Sequence, residues 1–170
     1  PENIALQTNA IKATLNEYGK NRWSPEVLTD KVNSALSGMN VAVFNNLFVR
    51  DAVGAKVFYE EARRAGAIDP RQFDEIEEKL KTGVADQVGA GAARQDITLL
   101  LADTKPTDPF PQKQADDLGV ARFAGDPDSL KAYRIELDRQ ATLHAGQVSK
   151  VEATSLKAVN QMVVDGTSLG

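Results

Sequence analysis

The chain has 170 residues, enough for a single domain, residues 1–170, that buries roughly two-thirds of the surface of the unfolded chain. It has no cysteine, which excludes disulfides, thiolate nucleophiles and thiolate metal sites. Lys and Arg number 20 and Asp and Glu 24, so the net charge is −4 and nucleic acid is not expected as a partner. Charged residues interrupt every apolar run, so we expect a soluble chain with no membrane span. Localisation stays open, as does whether a leader precedes Pro1.

The first two helices are predicted over residues 2–19 and 25–37. Apolar residues at helical spacing mark the first, and Ser24-Pro25 starts the second with a side chain that accepts hydrogen bonds from free amides. Gly38 is expected to end it, because glycine adopts the left-handed conformation that terminates helices.

The apolar segment 41–49 suits a buried strand as well as a buried helix, and we interpret it as helix. Asp51 has the side chain of an N-cap, and Gly66 stands where the next helix would end. The sequence also allows one unbroken helix from Val41, so both arrangements stay open at this stage.

Asp69-Pro70 predicts another helix start, followed by a narrow apolar face and a charged surface as far as Gly83. A further helix is expected over residues 84–101. The small residues 89–93 within it would let another backbone approach closely. We therefore predict close helix packing at this point.

The segment 105–114 contains three prolines and is the clearest internal linker, so it gives a possible sub-boundary of the domain. Beyond it, Asp126-Pro127 starts a long helix over residues 127–165, which Gly146 could kink. Sustained strand alternation is absent from the sequence. The predicted fold class is all-α, a multi-helix bundle of about six helices with a proline-rich crossover and a long C-terminal helix.

The sequence gives no convincing set of catalytic, cofactor-binding or metal-binding residues. His144 is the sole histidine, and it has no carboxylate three or four residues away to orient it. The glutamates around residue 77 alternate with lysines, which is typical of a solvated helix face. Phosphate-loop, acyl-transfer and zinc motifs are absent. We therefore expect no cofactor, and the chain is more readily explained as a non-enzyme.

Two features instead suggest contact with a protein partner, either copies of the same chain or other subunits of an assembly. The C-terminal helix carries a thin stripe of small apolar residues suited to helix-on-helix contact, and the proline-rich segment has aromatic residues around it that could cover the protein's own core or bind a partner. The residues predicted for interaction are Leu137, Ala141, His144, Val148, Val151, Met162, Phe110 and Phe123.

The sequence thus predicts a structural or interaction protein, such as a component of a virion, secretion or filament assembly. One alternative is an enzyme or small-molecule-binding bundle with an aromatic pocket, to which His144 or a buried carboxylate would contribute polarity. The pocket of this ligand-binding alternative would be lined by Phe44, Phe48, Phe58, Tyr59 and Tyr133. A secreted helical effector is another alternative.

Overall fold

The computed structural model describes the backbone of residues 2–167 and the side chains of residues 3–163, and all regular structure in this part is helical. The all-α, multi-helix fold class with a long C-terminal helix is therefore confirmed. The helices are α1 (Glu2–Gly19), α2 (Pro25–Phe48), α3 (Ala52–Arg64), α4 (Phe73–Leu101), α5 (Gln112–Arg122) and α6 (Pro127–Thr167).

The predicted helix starts are confirmed by their capping hydrogen bonds. The side chains of Ser24, Asp69 and Asp126 each accept from a backbone amide two or three residues later, at 3.4, 2.9 and 3.0 Å. Asp51 caps α3 in the same way at 2.9 Å, so α3 does not run on from α2. At Asp69 the cap opens a single 3₁₀ turn, Pro70–Gln72, which leads directly into α4.

The prediction that Gly38 ends a helix is wrong, because α2 continues through it to Phe48. Among the described residues, only Gly66 has the positive φ, +66°, at which glycine terminates a helix. Buried polar side chains beside Gly38 tie α2 to the chain that leads into α4. The Ser37 hydroxyl donates to Gln72 at 2.8 Å, and the Asn40 amide donates to a backbone carbonyl at residue 67 at 3.0 Å.

Gly83 does not end a helix either, and the two helices predicted over residues 70–83 and 84–101 are the single helix α4. A Cβ atom at Gly83 would overlap the ring of Phe48. The glycine therefore makes room for an aromatic side chain within a helix, a contact that cannot be read from the local sequence.

The helices form two compact units, and the division falls inside α4 between Val84 and Ala85. In the first unit, α1 packs on α2 and α2 on α3. The single domain 1–170 and the sub-boundary at 105–114 stay predictions. The core of the first unit contains Phe44, Ala55, Tyr59, Ala62, Ile68, Ile76 and Leu80.

The second unit contains the end of α4 together with α5 and α6. Helix α5 begins at Gln112, directly after the last proline of the crossover. The segment around Leu118 is therefore helical. The core of this unit contains Ala92, Ala93, Ile97, Ala115, Phe123, Tyr133 and Leu137.

Helix α6 has 41 residues and continues through Gly146 without a break. At about 1.5 Å per residue it is about 60 Å long, roughly twice the diameter of a small domain. Its first half belongs to the core of the second unit, and this half fixes the direction of the remainder.

Candidate interaction surface

Helix α6 is anchored by a close contact with α4 at Gly89. A Cβ atom there would lie 2.8 Å from both the Cβ atom of Ala132 and the backbone nitrogen of Tyr133, so only glycine fits without a shift of α6. Gly91, two residues on, faces open space. The predicted close packing at residues 89–93 is thus present at Gly89 and absent at Gly91.

A buried hydrogen-bond network holds the same part of α6. The hydroxyl of Tyr133, which is fully buried, lies 2.8 Å from the carbonyl oxygen of Ala115 and 3.2 Å from the carboxylate of Asp96, and these two acceptors share its single proton. Arg122 donates to the other oxygen of Asp96 at 2.7 Å. Burial, with the nearby charge of Asp96, raises the pKa of Tyr133 to about 12. The network therefore contains a neutral phenol and a carboxylate whose charge Arg122 balances.

A second buried carboxylate, Glu136, lies one turn further along α6. Arg139 donates to both of its oxygens at 2.7 and 2.9 Å, and Arg94 and Gln140 donate to it at 3.0 and 2.7 Å. The hydrogen bonds from Arg139 are the main reason that the pKa of Glu136 falls to about 2. Every buried side-chain nitrogen and oxygen in the described part of the chain has a partner. These groups are arranged to hold helices together.

The proline-rich crossover covers the next part of α6. The ring of Phe110 packs against the core of the second unit, and its centroid lies 5.6 Å from that of His144. His144 is thus in contact with an aromatic ring. Within the described residues, no three His, Asp or Glu side chains are grouped as a metal site would require.

Beyond this contact, α6 leaves the core. We call residues 149–163 the distal arm; every one of its side chains is exposed. Exposed fractions of 62% for Leu156, 55% for Val159 and 72% for Met162 mean that large apolar groups face solvent here. An exposed apolar helix face of this kind is typical of an interaction surface.

The residues predicted for interaction fall into three groups along the structure. Leu137 and Phe123 are buried core residues, so they stabilise the unit rather than offer a free surface. Val151 and Met162 are exposed on the distal arm. The remaining four are partly buried between the core and the arm: Phe110, Ala141, His144 and Val148.

Three exposed apolar residues of the arm were not among the predicted interaction residues, namely Leu156, Val159 and Val163. For Val159 the signal is its angular position, because at about 100° per residue it lies about 20° from Val148. Leu156 and Val163 lie about 80° and 60° from Val148, at the edge of the stripe, so periodicity points to them less directly.

The predicted aromatic pocket is divided between two separately packed cores. Phe44 and Tyr59 belong to the core of the first unit, where Phe48 and Phe58 pack against them, whereas Tyr133 belongs to the core of the second unit.

The first unit also has an open groove of about 680 Å³ beside Asp69. Arg71 already pairs with this carboxylate and lowers the pKa of Asp69 to about 2.

No protein-family model, curated protein or solved structure matches the chain. None of the described helices combines the length and apolar character needed to cross a membrane. The function is therefore inferred from the geometry of the chain.

Proposed function

We propose that this chain is a non-enzymatic interaction protein whose distal arm packs against another α-helix in a larger assembly. One observation carries the proposal: the face of α6 that is buried within the second unit continues, exposed, along the whole arm. Leu137 is 1% exposed on this face, whereas Val151 is 40% and Met162 72% exposed.

The continuity of the face follows from helix geometry. At about 100° per residue, Val148, Val151, Val159 and Met162 lie within the same arc as Leu137. Lysines and polar residues occupy the opposite face of the arm. An amphipathic helix whose apolar face is exposed is stabilised when another apolar surface covers this face. The stabilisation is about 25 cal/mol for each Å² of apolar surface removed from water.

Helix stability favours the same interpretation. Isolated helices shorter than about 12–15 residues are marginal in water, and most helices in proteins are stabilised by packing of an amphipathic face. The arm continues α6 beyond its core with such a face exposed, so a partner would stabilise it. The buried carboxylates of Asp96 and Glu136 give less support to catalysis, because arginines already bind both.

The test is site-specific photo-cross-linking of the full chain in the cells that produce it. A benzophenone side chain at position 151 or 159 is expected to give discrete protein adducts. The same group at position 150 or 157, on the polar face, serves as the matched control and should give few. Equal labelling from both faces, or no adducts from either, would contradict the proposal.

A further inference from the structure

We propose that Arg94 and Arg139 form a binding site for a phosphate group on the surface of the second unit. Arg94 lies on α4 and Arg139 on α6, and both contact the buried carboxylate of Glu136. The site goes beyond the proposed function, because it does not depend on whether the distal arm packs against another helix.

The cluster around Glu136 carries one positive charge more than it needs for balance. Glu136 accepts from Nε of Arg94 at 3.0 Å and from Nη2 of Arg139 at 2.7 Å. Every other arginine ion pair within the described residues joins one arginine to one carboxylate, as Arg134 does with Asp116. One carboxylate and two guanidinium groups therefore give this cluster a net charge of +1, in a chain whose net charge is −4.

The two guanidinium groups lie between the buried carboxylate and solvent. The side chain of Glu136 is 8% exposed, whereas the side chains of Arg94 and Arg139 are 60% and 56% exposed. Because both groups contact the same carboxylate oxygen, their donor nitrogens lie within about 6 Å of each other. A single anion on the solvent side can therefore contact both arginines.

Each arginine keeps hydrogen-bond donors that Glu136 does not use. A guanidinium has five N–H groups in a fixed fork. Arg94 donates to Glu136 from Nε, and Arg139 donates from Nε and Nη2. Both Nη atoms of Arg94 and the Nη1 atom of Arg139 have no acceptor among the described residues. Such donors match phosphate oxygens, which arginine binds in pairs.

The neighbouring turns of the two helices supply no competing carboxylate. One turn before and after each arginine, Glu136 is the only acidic residue of the sequence. A Cβ atom at Gly91, one turn before Arg94, would have nothing within 4 Å, so the surface of α4 is open there. The other residues at these positions are Ala90, Ile97, Thr98, Ile135, Thr142 and Leu143.

A phosphate monoester fits the cluster better than a carboxylate does. It carries a charge of about −1.5 to −2 at pH 7 and has three strong acceptor oxygens. Three oxygens are enough for donors from both arginines at once. The group can belong to a soluble ester or to a lipid headgroup, and the two sources are distinguished by the probes below.

The test is an NMR titration of the full chain with inorganic phosphate, with sodium chloride at the same ionic strength as the control. The arginine Nε–H signals report on each guanidinium separately. Those of Arg94 and Arg139 are expected to shift and saturate with phosphate, whereas the signal of Arg134 should not. Equal shifts with phosphate and chloride, or equal shifts at Arg134, would overturn the site.

Substitutions test the need for both arginines. Arg94→Gln and Arg139→Gln each make the cluster neutral, so each is expected to raise the dissociation constant for phosphate by about tenfold or more. Arg134→Gln is the matched control, because it removes a similarly exposed arginine of α6 from a one-to-one pair, and it should change the constant by less than about twofold. Unchanged binding in both cluster variants would contradict the proposal.

Arg94→Lys covers the case in which Arg94→Gln does not fold, which circular dichroism would reveal. Lysine keeps the charge and the attraction to Glu136 but not the fork of donors, so phosphate binding should weaken by about threefold or more. Binding as tight as in the unsubstituted chain would show that the guanidinium of Arg94 does not contact phosphate.

Two further probes distinguish the sources of the phosphate group. Saturable binding of glycerol 3-phosphate that is lost in Arg139→Gln would assign the site to soluble esters. Flotation with phosphatidylcholine vesicles only when they contain phosphatidic acid, again lost in Arg139→Gln, would assign it to lipid headgroups. Binding of neither probe would overturn the site and leave the proposed function of the arm untouched.

Discussion

At the scale of single residues, the structure depends on what surrounds each glycine. Gly89 and Gly91 lie two residues apart in α4, yet a side chain at the first would collide with α6 and a side chain at the second would meet nothing within 4 Å. Helix propensity alone treats the two positions as equal. Their different surroundings therefore give opposite predictions for the same substitution.

Gly89→Ala is expected to destabilise the chain by about 1–3 kcal/mol, because the added methyl group forces α4 and α6 apart. Gly91→Ala is the matched control and should stabilise it by up to about 1 kcal/mol, because alanine favours the helix. Urea unfolding measures both. Equal effects of the two substitutions would show that α6 does not approach α4 at Gly89.

The second prediction at this scale concerns Glu136. Its pKa is about 2 in the folded chain against 4.5 ordinarily, so its contribution to stability is complete above about pH 4.5 and is lost as the pH falls towards 2. Glu136→Gln should therefore cost about 2 kcal/mol at neutral pH, the usual contribution of hydrogen bonds to a charged group, and almost nothing near pH 2.

Urea unfolding at a series of pH values measures this difference. Glu75→Gln is the control, because the exposed pair of Glu75 with Lys79 should contribute little at any pH. A pH-independent gap between Glu136→Gln and the unsubstituted chain would contradict the assigned role of the Glu136 carboxylate.

At the scale of elements, the long helices α2 and α4 are each continuous across a glycine that the sequence suggests as an end. Gly38 is exposed within α2, and a Cβ atom added there would have nothing within 4 Å. Gly66, which follows α3, has a φ of +66°. The first glycine only weakens a helix, and the second is required by the backbone conformation.

Gly38→Ala is therefore expected to raise the free energy of unfolding by up to about 1 kcal/mol. Gly66→Ala should lower it by about 1–2 kcal/mol, because L-residues are strained in the left-handed region. Thermal unfolding followed by circular dichroism distinguishes the two. Destabilisation by Gly38→Ala would indicate that α2 ends at this glycine after all.

At the scale of the whole molecule, the same helix face has two different roles. Leu137 is buried within the second unit, whereas Val159 lies on the same arc and is exposed. Helix α6 is thus a core element in its first half, whereas the side chains of residues 149–163 are exposed. Substitutions in the two halves should therefore affect different properties.

Leu137→Ala is expected to cost about 2–5 kcal/mol of stability, as cavity-forming substitutions in cores do. Val159→Ala should change the stability of the dilute monomer by less than about 0.5 kcal/mol, because its side chain is already exposed. Urea unfolding at low protein concentration makes the comparison. A large loss on Val159→Ala would show that the arm packs within its own chain.

The sequence by itself determined the helical class, the N-terminal ends of α2, α4 and α6, and the length of α6. These features depend on local chemistry, since a Ser or Asp side chain caps free amides and proline fixes φ wherever they occur. It also indicated the apolar stripe of α6, because helical periodicity is a property of neighbouring residues.

Only the tertiary structure decided where helices continue and which part of the stripe is buried. Gly83 lies within a helix because the Phe48 ring occupies the space beside it, and Leu137 and Met162 differ because the core of the second unit ends between them. These outcomes depend on residues distant in sequence, whose positions no local pattern specifies. The packing of the second unit therefore decides which part of α6 is buried and which part is exposed.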